Sequence, residues 1–242
     1  MRLSAPILTK EFRARISNES HPITGMYKLG AKTAFEKGFN LIYSFPVPAW
    51  LPVIKLMFPK IGIDMKKVVT AQIECSALSA KAFSDEKNKY SVSISSSFND
   101  DYNALWQSAV ENFPLNNAIV RNSNWLNWKL GGHIVLEVRQ ENKLLGYAAV
   151  KKENGLVEDA LAHTPDDLET VIKEAIIALS VLKITLPNNE IKMMQTHATA
   201  PIIEKLGFQE IDYKFGFWCY SPDNSISVEK LQLARWFMMP ND

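Results

Sequence analysis

Phe58-Pro59-Lys60-Ile61-Gly62-Ile63 and Glu204-Lys205-Leu206-Gly207-Phe208 are two versions of one phrase, and its reading decides the fold. Each closes a helix-like stretch that follows a buried strand. Gly38-Phe39-Asn40-Leu41-Ile42-Tyr43-Ser44-Phe45-Pro46 precedes the first, and Ile191-Lys192-Met193-Met194-Gln195-Thr196-His197 precedes the second. A short apolar run bounded by turn residues reads as a buried strand, and glycine just past the last helical residue is the usual C-terminal stop. Gly62 and Gly207 lie roughly 145 positions apart, about one small domain. A strand-helix-glycine unit used twice predicts an α/β chain built from two related parts.

Composition narrows the function classes. With 242 residues, 47% apolar and 22% charged, the chain reads as an ordinary globular protein able to bury a sizeable core. Its 27 basic and 26 acidic residues leave a net charge of +1, which argues against nucleic-acid or anionic-membrane partners. Cys75 and Cys219 have no metal-ligand spacing and are too few for a disulfide framework, so buried free thiols and no metal are expected. Ala49–Phe58 is apolar but holds Pro52 and Lys55 and is too short to span a bilayer. The first residues lack the order of a signal peptide, so a cytoplasmic location is expected.

Along the chain, Ser4–Phe12 reads as an extended strand and Arg13–Pro22 as an irregular connection. A helix is expected over about Ile23–Lys37, a buried strand at Leu41–Phe45, and a helix over Ala49–Phe58 delayed or kinked by Pro52. Val68–Leu78 reads as a strand. Ser84–Asn99 is rich in Ser, Lys, Asp and Asn and reads as a linker, dividing the chain into 1–83, 84–99 and 100–242. A helix then begins at Asp100-Asp101 and runs to Asn112, and Trp125, Leu126 and Trp128 form an apolar cluster. Ile134–Arg139, Leu144–Lys151 and Leu156–Ala162 make a three-stranded meander. Thr164-Pro165-Asp166-Asp167 is a strong helix start, and apolar residues at helical spacing carry that helix to about Leu182. The strand at Ile191, a helix over Ala200–Leu206 and the aromatic strand Phe215–Tyr220 follow. Ser227–Met239 reads as a short helix followed by an edge strand, which periodicity does not decide.

The order from residue 100 onward resembles the GNAT acyltransferase superfamily. Arg121-Asn122-Ser123-Asn124-Trp125-Leu126-Asn127-Trp128-Lys129 is similar to the Arg-Asp…Tyr-Leu-Asn-Trp-Arg stretch of bacterial two-lobed GNAT proteins. Gly146-Tyr147-Ala148-Ala149-Val150 is similar to their second meander strand, and Gly38–Pro46 to a phrase in the later half of their first lobe. The resemblance implies an α/β (α+β) fold with a mixed central sheet flanked by helices, one complete lobe preceded by a half lobe. It also implies transfer of an acyl group from acyl-CoA, acetyl-CoA being the simplest, to a small-molecule amine acceptor.

In that family the donor's pyrophosphate rests on backbone N–H groups of a glycine-rich loop at a helix N-terminus. The second-lobe equivalent, Ala162-His163-Thr164-Pro165-Asp166-Asp167, has no glycine and no basic residue, and two carboxylates stand where phosphates would sit. In the first lobe, Phe12-Arg13-Ala14-Arg15-Ile16-Ser17 replaces the glycine pattern, leaving Arg13 and Arg15, with Ser17, as cofactor-binding candidates. Two solvated arginines in a loop are the alternative. The family's usual proton donor is a tyrosine four residues before the glycine of the repeated phrase; here those positions are Phe58 and Ile203. Glu158 and Asp159 on the third meander strand, with His163 and His197 at strand ends, are base candidates, of which Asp159, His163 and His197 are taken as the catalytic set. Asp159 as a turn cap and the histidines as ordinary surface residues are the alternative.

Two functional readings follow: an N-acyltransferase, and a GNAT-fold pseudoenzyme serving as a binding or assembly module. The half lobe also predicts an uncovered strand edge near residues 5–12 that pairs with the second lobe or with another copy in a homodimer.

Overall fold

The structure, a computed structural model, describes residues 10–16, 18, 20–113 and 117–240, with only the backbone of residues 10, 12 and 13. Its helices and strands are, in chain order, α1 (Lys10–Ile16), α2 (Pro22–Glu36), β1 (Ile42–Ser44), α3 (Leu51–Met57), β2 (Val68–Ser79), β3 (Ser91–Ser95), α4 (Asp100–Asn112), β4 (Asn117–Ala118) and α5 (Ser123–Lys129). There follow β5 (Ile134–Gln140), β6 (Lys143–Lys151), β7 (Leu156–Ala162), α6 (Pro165–Val181), β8 (Glu190–Met194), α7 (Ala200–Leu206), β9 (Gln209–Tyr220) and β10 (Trp236–Phe237). Among the described residues no helix is long and apolar enough to cross a membrane.

The chain divides into two compact units, Met1–Ile73 with Lys214–Leu233, and Glu74–Tyr213 with Ala234–Asp242. These replace the expected division at 84–99. The boundary falls inside β2 and β9, because the later half of β2 is bonded into the second unit through Cys75↔Met194 to Ser79↔Glu190.

In the first unit, β1 pairs antiparallel with β9 through Ile42↔Tyr220 and Ser44↔Trp218. The expected strand over Ser4–Phe12 lies largely outside the described residues; residues 10–12 open a helix instead. Arg13, Ala14, Arg15 and Ile16 continue α1 rather than forming the expected loop. Ile16 provides the reason: it is fully buried with Val53, Ile54, Met57 and Phe58, and a helical turn is what brings it inward. Thr24 fixes α2 against it by donating to the Ile16 carbonyl at 2.6 Å. At the start of α2, Ile23 N–H donates to His21 Nδ1 at 3.3 Å and Pro22 fills the first turn. Pro52 likewise sits in the first turn of α3, where its missing N–H costs nothing, so the helix begins there instead of kinking.

The repeated phrase has a repeated geometry. Gly62 (φ 82°) and Gly207 (φ 80°) each end a helix in the left-handed region. The next residue's N–H closes the turn, Ile63 onto Phe58 O and Phe208 onto Ile203 O, both at 3.0 Å. This is the glycine-terminated helix end that the sequence predicts.

The second unit is a sheet with strand order β2-β8-β7-β6-β5-β3, antiparallel except between β7 and β8. Successive side chains of β6 face opposite ways. Gly146 faces α6, where Val171 packs, and Tyr147 faces α4, where its ring meets Tyr102 at 5.6 Å. Helices therefore cover both faces. Ser91-Val92-Ser93-Ile94-Ser95, expected within a linker, is an edge strand on β5 from Ser91↔Arg139 to Ser95↔Val135. Alternation with serine on one face is what an edge facing water requires. The preceding turn is held by Glu174 on α6, whose buried carboxylate accepts from Asn88 Nδ2 (2.7 Å) and Lys89 N–H. The indole cluster divides: Leu126 is buried whereas Trp128 is 73% exposed. The tail Trp236–Met239 is buried in this unit, with β10 parallel to β4.

Candidate functional site

The second unit's parallel strands open at one end. β7 and β8 pair at Leu156↔Lys192, where Lys192 N–H donates to Gly155 O at 2.7 Å. The ladder stops there, although β7 continues to Ala162 and β8 to Met194. β7 also carries a bulge: Ala149 faces Asp159 and Val150 faces Val157, so Glu158 is the extra residue. A bulge bends its strand and increases its twist. The consequence is a wedge between two parallel strands, widening toward their C-terminal ends, where open sheets take ligands.

His163 follows β7 and His197 lies in the turn after β8, so each stands past the C-terminal end of its strand, with the His163 ring turned toward β6. His163 Nε2 lies 2.9 Å from Leu144 O. A carbonyl only accepts, so Nε2 carries the proton in the neutral ring and Nδ1 is its basic atom. His197 is exposed.

Asp159 is elsewhere. Its side chain is fully buried, with Arg121 Nε donating to Oδ1 at 2.9 Å and Tyr147 hydroxyl donating to Oδ2 at 2.6 Å. Arg121 Nη1 donates to Ile119 O at 2.9 Å, and its guanidinium lies 4.9 Å from the Phe237 ring and 5.7 Å from Trp125. The expectation of Asp159 as an accessible base gives way to a sealed carboxylate that anchors the α4–α5 connection and the C-terminal tail to β7. Burial is the cause: both oxygens are occupied and no solvent reaches them. Tyr102 belongs to a neighbouring pair, donating to Glu137 Oε2 at 2.9 Å. Burial raises the Tyr102 phenol above its ordinary value. Burial opposes ionisation of Glu137 too, but hydrogen bonds from Arg139 and Tyr102 outweigh it and hold the carboxyl low.

Glu158 is paired with His133 Nε2 at 2.8 Å and Lys151 Nζ at 3.1 Å. Beside the network of Asp159 lies an apolar cavity of about 220 Å³ lined by Trp106, Ala109, Val110, Phe113, Leu161 and Phe237. Leu161 comes from β7, two residues before His163.

The N-terminus of α6 is closed by its own side chains: Thr164 Oγ1 accepts from Asp167 N–H at 3.1 Å and donates to Asp167 Oδ2 at 2.8 Å. With Asp166 and Asp167 in the first turn, the helix dipole is already met by negative charge. Ile203, where the resemblance puts a proton donor, is buried, as is Phe58 in the first unit. Of the expected anion contacts, Arg15 is exposed on α1, the side chain of Arg13 is not described, and Ser17 lies outside the described residues. Among the described residues no group of three His, Cys, Asp or Glu could hold a metal ion. Arg121 and Tyr147 had appeared in the sequence only inside resembling phrases; nothing local marks them as partners of Asp159, because the three meet from different elements.

No protein-family model matches the sequence, and no curated protein does. Solved structures do. A functionally unknown conserved protein from Staphylococcus epidermidis is similar at TM-score 0.52 and 9% identity, over 84% of this chain and 81% of that one. A GCN5-related N-acetyltransferase from Anabaena variabilis is similar at TM-score 0.52 and 8% identity, over 81% and 49%. Another from Kribbella flavida gives 0.50 and 10%, over 80% and 46%. The chain spans about half the length of these two acetyltransferases. It has the GNAT fold, a mixed sheet flanked by helices.

Proposed function

We propose that the protein transfers an acyl group from a thioester to an amine acceptor, with the second unit as the reacting domain. The wedge between β7 and β8 carries this reading. It leaves the inner edge of a strand free to hold an extended thioester arm, and His163 and His197 follow the two strands that bound it. The amine nitrogen attacks the thioester carbonyl, and its proton passes to His163 Nδ1 or to His197. Collapse of the tetrahedral intermediate breaks the C–S bond and releases the thiol after the thiolate takes up a proton. Asp159 takes part as a positioning residue, holding β7 and the apolar cavity in place. The donor is an acyl-CoA; within the first unit, taken by itself, Arg13 and Arg15 are the cationic candidates for phosphate binding, with Ser17 beside them.

The reaction belongs to a reducing cytoplasmic compartment, a view supported by two buried free thiols, Cys75 and Cys219. A homodimer is part of the proposal, since β1 and β3 end the strand orders of their units and open edges favour pairing.

Thiol release from acetyl-CoA and from a long-chain acyl-CoA, in the presence of an amine panel, tests the reading. The expected outcome is turnover that falls by roughly 100-fold or more when the operating histidine is replaced, His163→Ala or His197→Ala. Turnover unaffected by both replacements contradicts the assigned base.

One observation favours a second reading, a non-catalytic module. Thr164 and Asp167 close the helix end where the family holds phosphate, and apolar residues stand at both proton-donor positions. Folded protein that binds no acyl-CoA would establish it.

A further inference from the structure

Thr199 precedes the first residue of α7, where a hydroxyl ordinarily accepts from an N–H of the first helical turn. Its side chain makes no such bond. The hydroxyl is fully buried and turns back to the end of β8, donating to Met194 O at 2.5 Å and accepting from Thr196 N–H at 2.8 Å. Its one proton is committed to Met194, so in the contact with Thr196 Oγ1 at 3.1 Å the donor is Thr196.

The register of β8 says which way Met194 O points. Gln195 N–H donates to Glu74 O on the β2 side at 2.8 Å, so Met194, its neighbour, directs its own C=O away from β2. Lys192, two residues earlier, uses that same side for its bond to Gly155 O. Met194 O is therefore the acceptor on which the next rung between β7 and β8 would close.

We propose that Thr199 is a positioning residue that keeps the wedge between β7 and β8 open, by occupying the β8 carbonyl that β7 would otherwise bond. The two walls then have separate causes. The bulge at Glu158 bends β7, and the Thr199 hydroxyl satisfies β8 without a strand partner. The use of the wedge rests on the proposed acyl transfer; its opening does not.

The test is amide hydrogen exchange of the full chain, followed residue by residue by NMR, in the wild type, Thr199→Val and Thr199→Ser. Thr199→Val keeps the shape of the side chain and removes the hydroxyl, whereas Thr199→Ser retains it. In Thr199→Val the Thr196 amide should exchange about tenfold faster, having lost its acceptor. Those amides of residues 159–162 that exchange fast in the wild type should slow by about tenfold, as β7 bonds Met194 O. Thr199→Ser should restore both. Faster exchange at Thr196 with β7 unchanged overturns the proposal, because Thr199 then pins only its own turn. Thr199→Val indistinguishable from the wild type overturns it as well. Thermal melts establish folding, and should Thr199→Val fail to fold, Thr199→Ala removes the same hydroxyl without added bulk and is read in the same way. Exchange needs no acyl donor, so a failure of the acyl-transfer reading is told apart from a failure of this one. Where turnover is measured, a raised KM for acyl-CoA with little change in kcat, reversed in Thr199→Ser, is expected.

Discussion

Arg121 Nε donates to Asp159 Oδ1 at 2.9 Å with both side chains sealed from solvent. Their 38-residue separation in sequence makes this contact a tie between the α4–α5 connection and β7. Removing one partner strands the other's charge in a low-dielectric interior, which typically costs ~3–5 kcal/mol. Asp159→Leu should therefore lower unfolding free energy by about that amount in urea denaturation. The double variant Arg121→Met/Asp159→Leu should recover much of the loss. A single variant within about 1 kcal/mol of wild type would show that the pair is not desolvated.

Glu158 predicts a pH dependence. Burial disfavours its charged form, but hydrogen bonds from His133 and Lys151 and the charge of both outweigh that and hold the carboxyl below its ordinary 4.5. A depressed folded-state value means the stabilisation is fully present above the unfolded value and is lost as pH falls through the folded one. Stability should thus decline on acidification below about pH 4.5, and Glu158→Gln should flatten that part of the profile. Parallel curves for the two proteins would contradict it.

Gly146 on β6 is crowded by the backbone of β7 and by Val171 on α6. A Cβ there would lie 2.3 Å from Leu161 O and 2.8 Å from Val171 Cγ2. Backbone cannot give way as a side chain can, so Gly146→Ala should destabilise by ~1–3 kcal/mol or more. Adding Val171→Ala should relieve only the side-chain half of the clash. A melting temperature unchanged in Gly146→Ala would contradict this crowding by β7 and α6.

Local sequence announced many of these elements. The meander strands, α4 and α6 lie within a residue or two of expectation, because alternation, caps and helical spacing are local signals. The two glycine stops were legible for the same reason. β3 was missed because serine-rich alternation is compositionally like a linker, and only pairing with β5 distinguishes them. α1 was misread as loop because its case rests on burial of Ile16, which no local pattern reveals. The site was less legible than the fold. His163 and His197 follow from their places at strand ends. Asp159 offered the same local evidence, and its burial came from Arg121 and Tyr147, brought in by α4–α5 and β6.

The most direct test of acyl transfer is isothermal titration of the folded protein with acetyl-CoA and with a long-chain acyl-CoA. The account predicts saturable binding to at least one of them, weakened by Arg13→Ala combined with Arg15→Ala. The absence of heat with either ligand, from protein shown to be folded, would contradict it and leave the non-catalytic module.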